Sequence, residues 1–352
     1  MNRRNFLKLG IGSAALVSGN VALLSWAPRA HAANLAYSLS MVSGNVPMVD
    51  GRSLYLFSYQ DAAQTTAFPG PTLICREGDV LDITLNNTLG TNSAFAVAGT
   101  ALRTDVAALS SVTYSFAAPA PGTYLYHDDL NNGVNRVMGL HGALVVMPAG
   151  AANQSFAGGP TFVRQYKWLL GNLDPVWCDA VQANGDDHVR ALAAQVAGFT
   201  PKYFTINGGS YDRTHNPDTE LMGAVGNAAL VRMLNAGMAV HSMHFHANHV
   251  EVCSINRQNF TSLRKKKDVV SMFPLDSRDV LFPFITPPDI PAGEFDQGLD
   301  LAAAPQHYPM HCHTELSQTA GGGFYPHGMH TGIMIGRDPA TEPDVTQATA
   351  AL

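Results

Sequence analysis

From about Tyr37 onward, apolar and polar residues alternate in short runs broken by Gly, Pro, Asn and Asp. A period of two places successive side chains on opposite faces, the pattern of half-buried β-strands. LDITLNN (81–87), VTYSFAAP (112–119), TYLYH (123–127) and ALVVMP (143–148) predict strands in the first half. YFTING (203–208), AALVRMLN (228–235), VEVCSI (250–255) and DVVSMF (268–273) do so in the second. Only HVRALAAQV (188–196) predicts a helix. Strands at this spacing suit an all-β sandwich. The small, polar, Gly-rich stretch GAANQSFAGG (150–159) predicts a linker over 150–160, between domains at 33–149 and 161–340, with a tail at 341–352.

The two halves echo one another. Tyr124-Leu-Tyr-His-Asp-Asp129 aligns with Tyr308-Pro-Met-His-Cys-His313, and GLHGALVV (139–146) with GMHTGIMI (328–335). Two copies of one β-sandwich are the simplest account. The echo also sets His141 against His330, facing alike.

Residues 1–32 read differently. A basic start (Arg3, Arg4, Lys8), a weakly apolar middle and Ala30-His31-Ala32 fit an export signal with an A-x-A cleavage site. Arg3-Arg4 followed by Asn5-Phe6-Leu7-Lys8 resembles a twin-arginine signal, which implies export of the folded protein to the periplasm or beyond. The whole chain has a formal charge of −6; without this segment, 17 basic residues face 27 acidic ones. A negative balance argues against nucleic acid as a partner, and no later apolar run reaches membrane-spanning length.

The chemistry lies in HYPMHCHTELSQTAGGGFYPHGMH (307–330), with five histidines and one cysteine, and in HSMHFH (241–246). On strands, His311 and His313 face one way and Cys312 the other; His244 and His246 share a face, and His241 has the opposite parity. If the two strands are neighbours, one face gathers four imidazoles and the other an imidazole with a thiol. Imidazole and thiolate together favour copper, zinc or iron. Of the four cysteines, Cys75, Cys178 and Cys253 remain besides Cys312, enough for one disulfide at most. HFHANHVE also fits the His-x-His-x4-Glu spacing of metal-binding cupin barrels, through His244, His246 and Glu251, but that explains this segment alone.

With PGPTLICREGDVLDITLNN, YFTINGGSYD, KKKDVVSMFPLDSRDVLF and YPMHCH, the chain from about 40 to 337 resembles the two-domain, laccase-like multicopper oxidases. The resemblance implies two cupredoxin-like Greek-key β-sandwiches, copper as cofactor, and a small reductant, phenolic or other, oxidised with O2 as acceptor. It implies type 1 copper ligands at His241 and Cys312, type 2 at His244, and a type 3 pair at His246, His311 and His313. A homotrimer is implied too, because in compact relatives the cluster forms between subunits.

Departures from the family pattern are specific. Its first-domain His-x-His-Gly is Ala96-Val97-Ala98-Gly99 here, and its next His-x-His is His127-Asp128-Asp129, leaving His127 and offering Asp129 as a carboxylate ligand. The second type 1 histidine, five residues after the cysteine, is Ser317. Met329 is the axial candidate; His327 is the nearest histidine, with His330 a substitute and an incomplete site the third outcome. The pattern fits either an oxidase or a copper-binding, electron-transfer protein without a complete trinuclear cluster.

Overall fold

Within Val80–Asn87 the buried and exposed positions alternate, and Leu81, Ile83 and Leu85 are fully buried while the intervening polar side chains face outward. The same alternation builds two β-sandwiches in this computed structural model, which describes residues 32–61, 68–150, 153–262, 264–291, 293, 294, 300, 301 and 303–336. The segment expected to direct export, apart from Ala32, lies outside the described residues, as do the tail and part of the linker.

The first sandwich pairs β1 (Asn34–Pro47), β2 (Ser53–Asp61), β4 (Val80–Asn87) and β7 (Ser111–Ala117) in the order β2-β1-β4-β7. Its second sheet runs β3-β9-β8-β5-β6, from β3 (Leu73–Arg76), β5 (Ser93–Val97), β6 (Arg103–Val106), β8 (Gly122–His127) and β9 (His141–Met147). In the second sandwich, one sheet runs β11-β10-β13-β19-β15-β16. These are β10 (Arg164–Leu173), β11 (Tyr203–Ile206), β13 (Ala229–Asn235), β15 (Val250–Ile255), β16 (Gln258–Asn259) and β19 (Ser277–Phe282), with β17 (Lys266–Lys267) on β15. The facing sheet runs β12-β21-β20-β14-β18, from β12 (Leu221–Gly223), β14 (His241–Phe245), β18 (Val269–Met272), β20 (Gln306–Cys312) and β21 (His330–Ile335).

Each sandwich has its own apolar core, one around Leu39, Phe57, Tyr59 and Tyr126, the other around Trp168, Phe245, Phe282 and Ile333. A smaller cluster of Val145, Phe162, Leu230 and Leu281 joins them. Beside it, Thr123 donates to Asp279 at 2.6 Å, and the fully buried Arg232 donates to Thr123 at 2.8 Å and to Gln165 at 2.9 Å. The hydrogen bonds of this bridge offset part of the desolvation cost of burying Arg232 and Asp279, and they orient one sandwich on the other.

The expected helix is short, α3 (Val189–Ala193), after α1 (Val134–Val137); a longer one, α2 (Pro175–Asn184), precedes it where none was expected. Asp174 caps α2 by accepting from the Val176 amide at 2.9 Å, with Pro175 at the first helical position. Among the described residues, no helix is long and apolar enough to cross a membrane. The four cysteines are buried and none is disulfide-bonded, so the one disulfide that their number allowed is not formed.

Candidate metal centre

Strands β14 and β20 are neighbours, with His244 opposite His311, and β21 continues the row with His330 opposite His311. Directly paired residues share a face, so His244, His311 and His330 stand side by side. His246 and His313 extend the group: ring centroids lie 4.4 Å apart for His244 and His246, 4.8 Å for His244 and His313, and 5.2 Å for His311 and His313. Ligand atoms of His244, His246 and His311 all lie within 4.8 Å of one another, and Nε2 of His246 is 3.3 Å from Nε2 of His311. His244 Nδ1 is buried without a hydrogen-bond partner.

Burial, then repulsion from neighbouring imidazoles, lowers the pKa of His246; burial first, and His244 and His313 among the further causes, lowers that of His311. Both rings are therefore held neutral, with lone pairs free at neutral pH, as metal ligation requires. Glu251, the third cupin-type ligand, is not in this sheet; it accepts from Arg264 at 3.0 Å on β15. The cupin arrangement is not formed.

The corresponding first-domain row is Arg103–Ala96–His127–His141 across β6, β5, β8 and β9. A cavity of about 470 Å³ lies beside it, lined by Ala96, Ala98, Arg103, His127, Asp129 and Arg257 among others. None of the second-domain imidazoles lines it. Asp129 accepts from Arg103 Nε at 2.8 Å, so its carboxylate is turned to a guanidinium and not to His246 or His311. His127 Nδ1 is buried and unpartnered, and burial, helped by Arg136, pulls the pKa of His127 to about 4. Within one chain, then, His127 and Asp129 form a separate group.

Comparison with known proteins accords with this geometry. Residues 62–150 match the family model described as multicopper oxidase. The copper-containing nitrite reductase of Alcaligenes xylosoxydans xylosoxydans is 30% identical over 181 residues, 46% of this chain and 53% of that protein. L-ascorbate oxidase of Cucumis sativus is 32% identical over 103 residues, 25% of this chain and 17% of that one. The chain thus spans about half the length, or less, of these curated relatives. The blue copper oxidase from Nitrosomonas europaea superposes with a TM-score of 0.67 at 19% identity, covering 86% of each chain. The multicopper oxidase mgLAC gives 0.66 at 19% identity, covering 89% of each. Over residues 62–150 this chain is similar to the multicopper oxidases, and its fold is the one they share.

A multicopper oxidase relative is expected to build a type 1 copper site on the other face of the same strands. His241, Cys312 and Met329 are indeed buried there together, and His241 Nδ1 lies 3.8 Å from Cys312 Sγ. The third member is Ser317, whose Oγ is 3.0 Å from His241 Nδ1. Met329 is fixed between them by backbone bonds to Ser317 O (2.7 Å) and from Cys312 N (3.0 Å). Gly328 permits that approach, because a Cβ there would meet Ser317 O at 2.1 Å. His327 is not among the pocket's contacts; its ring lies against Tyr211 at 4.6 Å and Phe324 at 5.7 Å.

These residues do not fit a type 1 copper. Asn172 Oδ1 accepts from the Met238 amide at 3.0 Å, which turns its NH2 group toward His241 Nε2 at 3.1 Å. Nε2 must accept, so in the neutral ring the proton sits on Nδ1, pointing at Ser317 and Cys312. Burial keeps His241 neutral by lowering its pKa to about 4. A hydroxyl stands where an imidazole donor is needed, and the remaining imidazole presents a proton to the space a metal would fill. Position 317 was legible in the sequence; the role of Asn172, which depends on β10 crossing beneath the pocket, was not.

Proposed function

We propose that this protein is an exported, laccase-like copper oxidoreductase that takes electrons from a phenolic or other small reductant, with O2 as acceptor. The observation that carries it is the set of His244, His246 and His311, three imidazoles with converging nitrogens, flanked by an exposed His313. Imidazole donors at this spacing suit copper, and copper held there supplies one-electron chemistry toward a small donor. His246 and His311 are kept deprotonated by burial, so the ligands need not lose protons at neutral pH. The partly exposed histidine face leaves room for a small reductant to approach directly.

Export rests on Arg3-Arg4 and Ala30-His31-Ala32. Assembly as a homotrimer belongs to the same proposal, because His127 of one chain lies apart from that chain's second-domain imidazoles. The test is copper content of the purified protein together with oxygen uptake on a substituted phenol. Copper bound with oxygen consumed supports the proposal. Copper bound without oxygen consumption leaves a copper-binding or electron-transfer protein, which the absence of imidazoles at positions 96 and 98, both alanine, would explain. Absence of copper after reconstitution overturns it.

A further inference from the structure

The histidine row does not end at His311. On β21, His330 stands opposite His311, and its Nδ1 is buried with no hydrogen-bond partner. An orphaned buried ring nitrogen is costly unless something fills the place of its partner. Its nearest imidazole neighbour among the ring contacts is His215, whose ring centroid lies 5.3 Å away at an interplanar angle of 30°. His215 comes from the turn after the short 3-10 segment Tyr211–Thr214, far from the HCH motif in sequence.

That turn is fastened to β21. The Tyr211 amide donates to Gly328 O at 3.1 Å, Thr331 Oγ1 donates to Thr214 O at 2.6 Å, and Thr214 Oγ1 donates to His330 O. His215 Nδ1 lies 2.8 Å from Tyr211 O; a carbonyl can only accept, so Nδ1 carries the proton and Nε2 an open lone pair. Tyr211 flanks both rings at 5.7 Å, closing one side. Metal–nitrogen bonds of about 2.0–2.1 Å at tetrahedral angles set two ligating rings about 5 Å apart between centres, which is the separation seen.

We infer that His330 and His215 hold a second copper ion at the far end of the row, beside the ion at His244, His246 and His311. Two ring nitrogens supply protein ligands and water completes the coordination, so this ion is the weaker of the two. The second site would replace, from within the second domain, ligand capacity that the first domain lost at Ala96 and Ala98.

The inference rests on the copper-binding function proposed above, and the experiment separates the two. Full-length protein is stripped with a chelator and titrated with copper(II) sulfate against a competing chelator, with EPR on the loaded samples. Wild type is expected to bind about two coppers per chain. His215→Ala and His330→Gln should each fall to about one, with the tighter affinity kept, whereas His246→Ala should lose the tighter ion. His215 is exposed, so its variant should melt like wild type in the copper-free state. One copper in wild type, lost in His246→Ala but untouched by His215→Ala, overturns this inference and leaves the proposed function standing. Two coppers that neither His215→Ala nor His330→Gln alters also overturn it. No copper in wild type overturns both.

Discussion

The rows Arg103–Ala96–His127–His141 and Val269–His244–His311–His330 occupy the same place in the two sandwiches, yet their chemistry is opposite. The second row presents lone pairs from three adjacent imidazoles. The first offers one unpartnered imidazole, two small methyl side chains nearby and a guanidinium neutralised by Asp129 and Asp105. Sheet hydrogen bonds come from the backbone, so exchanging His for Ala along such a row leaves the register intact while removing the ligands. The scaffold is therefore indifferent to whether a row binds metal. Function is decided by the side chains standing on it.

The sharpest way to break the contrast is to strip one imidazole from the second-domain cluster. His246→Ala should weaken copper binding there by more than about 100-fold, the upper range for losing even a supporting group around a metal, while His127→Ala, which removes at most one ligand lent by a neighbouring subunit, should weaken it far less. Equilibrium dialysis reads both, and equal losses would erase the distinction. Filling the first row is the converse test. Ala96→His with Ala98→His places imidazoles beside His127 in an existing cavity, and a gain of about one copper per chain is expected by mass spectrometry of the loaded protein.

On the reverse face, Ser317→His should turn a hydrogen-bonded pocket into a copper site. Copper-loaded wild type should lack an intense visible thiolate-to-copper band, and the variant should acquire one that Cys312→Ser abolishes; a strong blue colour in wild type would refute the proton assignment at His241.

Acid should act on both sandwiches through their buried histidines. Burial depresses the pKa of His141 and of His241 to about 4, below the ordinary value of about 6.5. The unfolded chain binds protons first, so the stability due to these neutral rings is complete above about pH 6.5 and is lost as pH falls toward 4. Urea midpoints of metal-free protein should drop between pH 7 and pH 5. A flat profile would mean that these rings are not buried neutral. The smallest effect belongs to the Arg103–Asp129 pair, which is more than a third exposed on both sides. Arg103→Gln should cost about 0–1 kcal/mol in chemical denaturation, whatever it does to the cavity.

Strand parity made much of the second-domain site legible. HSMHFH and HCH are local patterns, and a period of two assigns their faces without any knowledge of the partner strand. The departures at Ala96, Ala98 and Ser317 were legible for the same reason, being residues missing at fixed offsets. Three features were not. His215 comes to stand against His330 through a turn about a hundred residues upstream, and nothing in YDRTH points to that contact. Asn172 fixes the proton on His241 only because β10 runs beneath β14 in the packed sandwich. Asp129, offered as a ligand on sequence alone, meets Arg103 because β6 and β8 flank β5.

By itself the sequence determined an all-β chain of two related sandwiches and the faces on which imidazoles and thiol would stand, since those follow from side-chain alternation within single strands. The tertiary structure decided which rings meet and where protons sit: that His327 leaves the thiol, that Ser317 and Asn172 set the state of His241, and that His127 is parted from the imidazole cluster. Those outcomes depend on register and on contacts between segments distant in sequence, where a shift of one residue reverses every face.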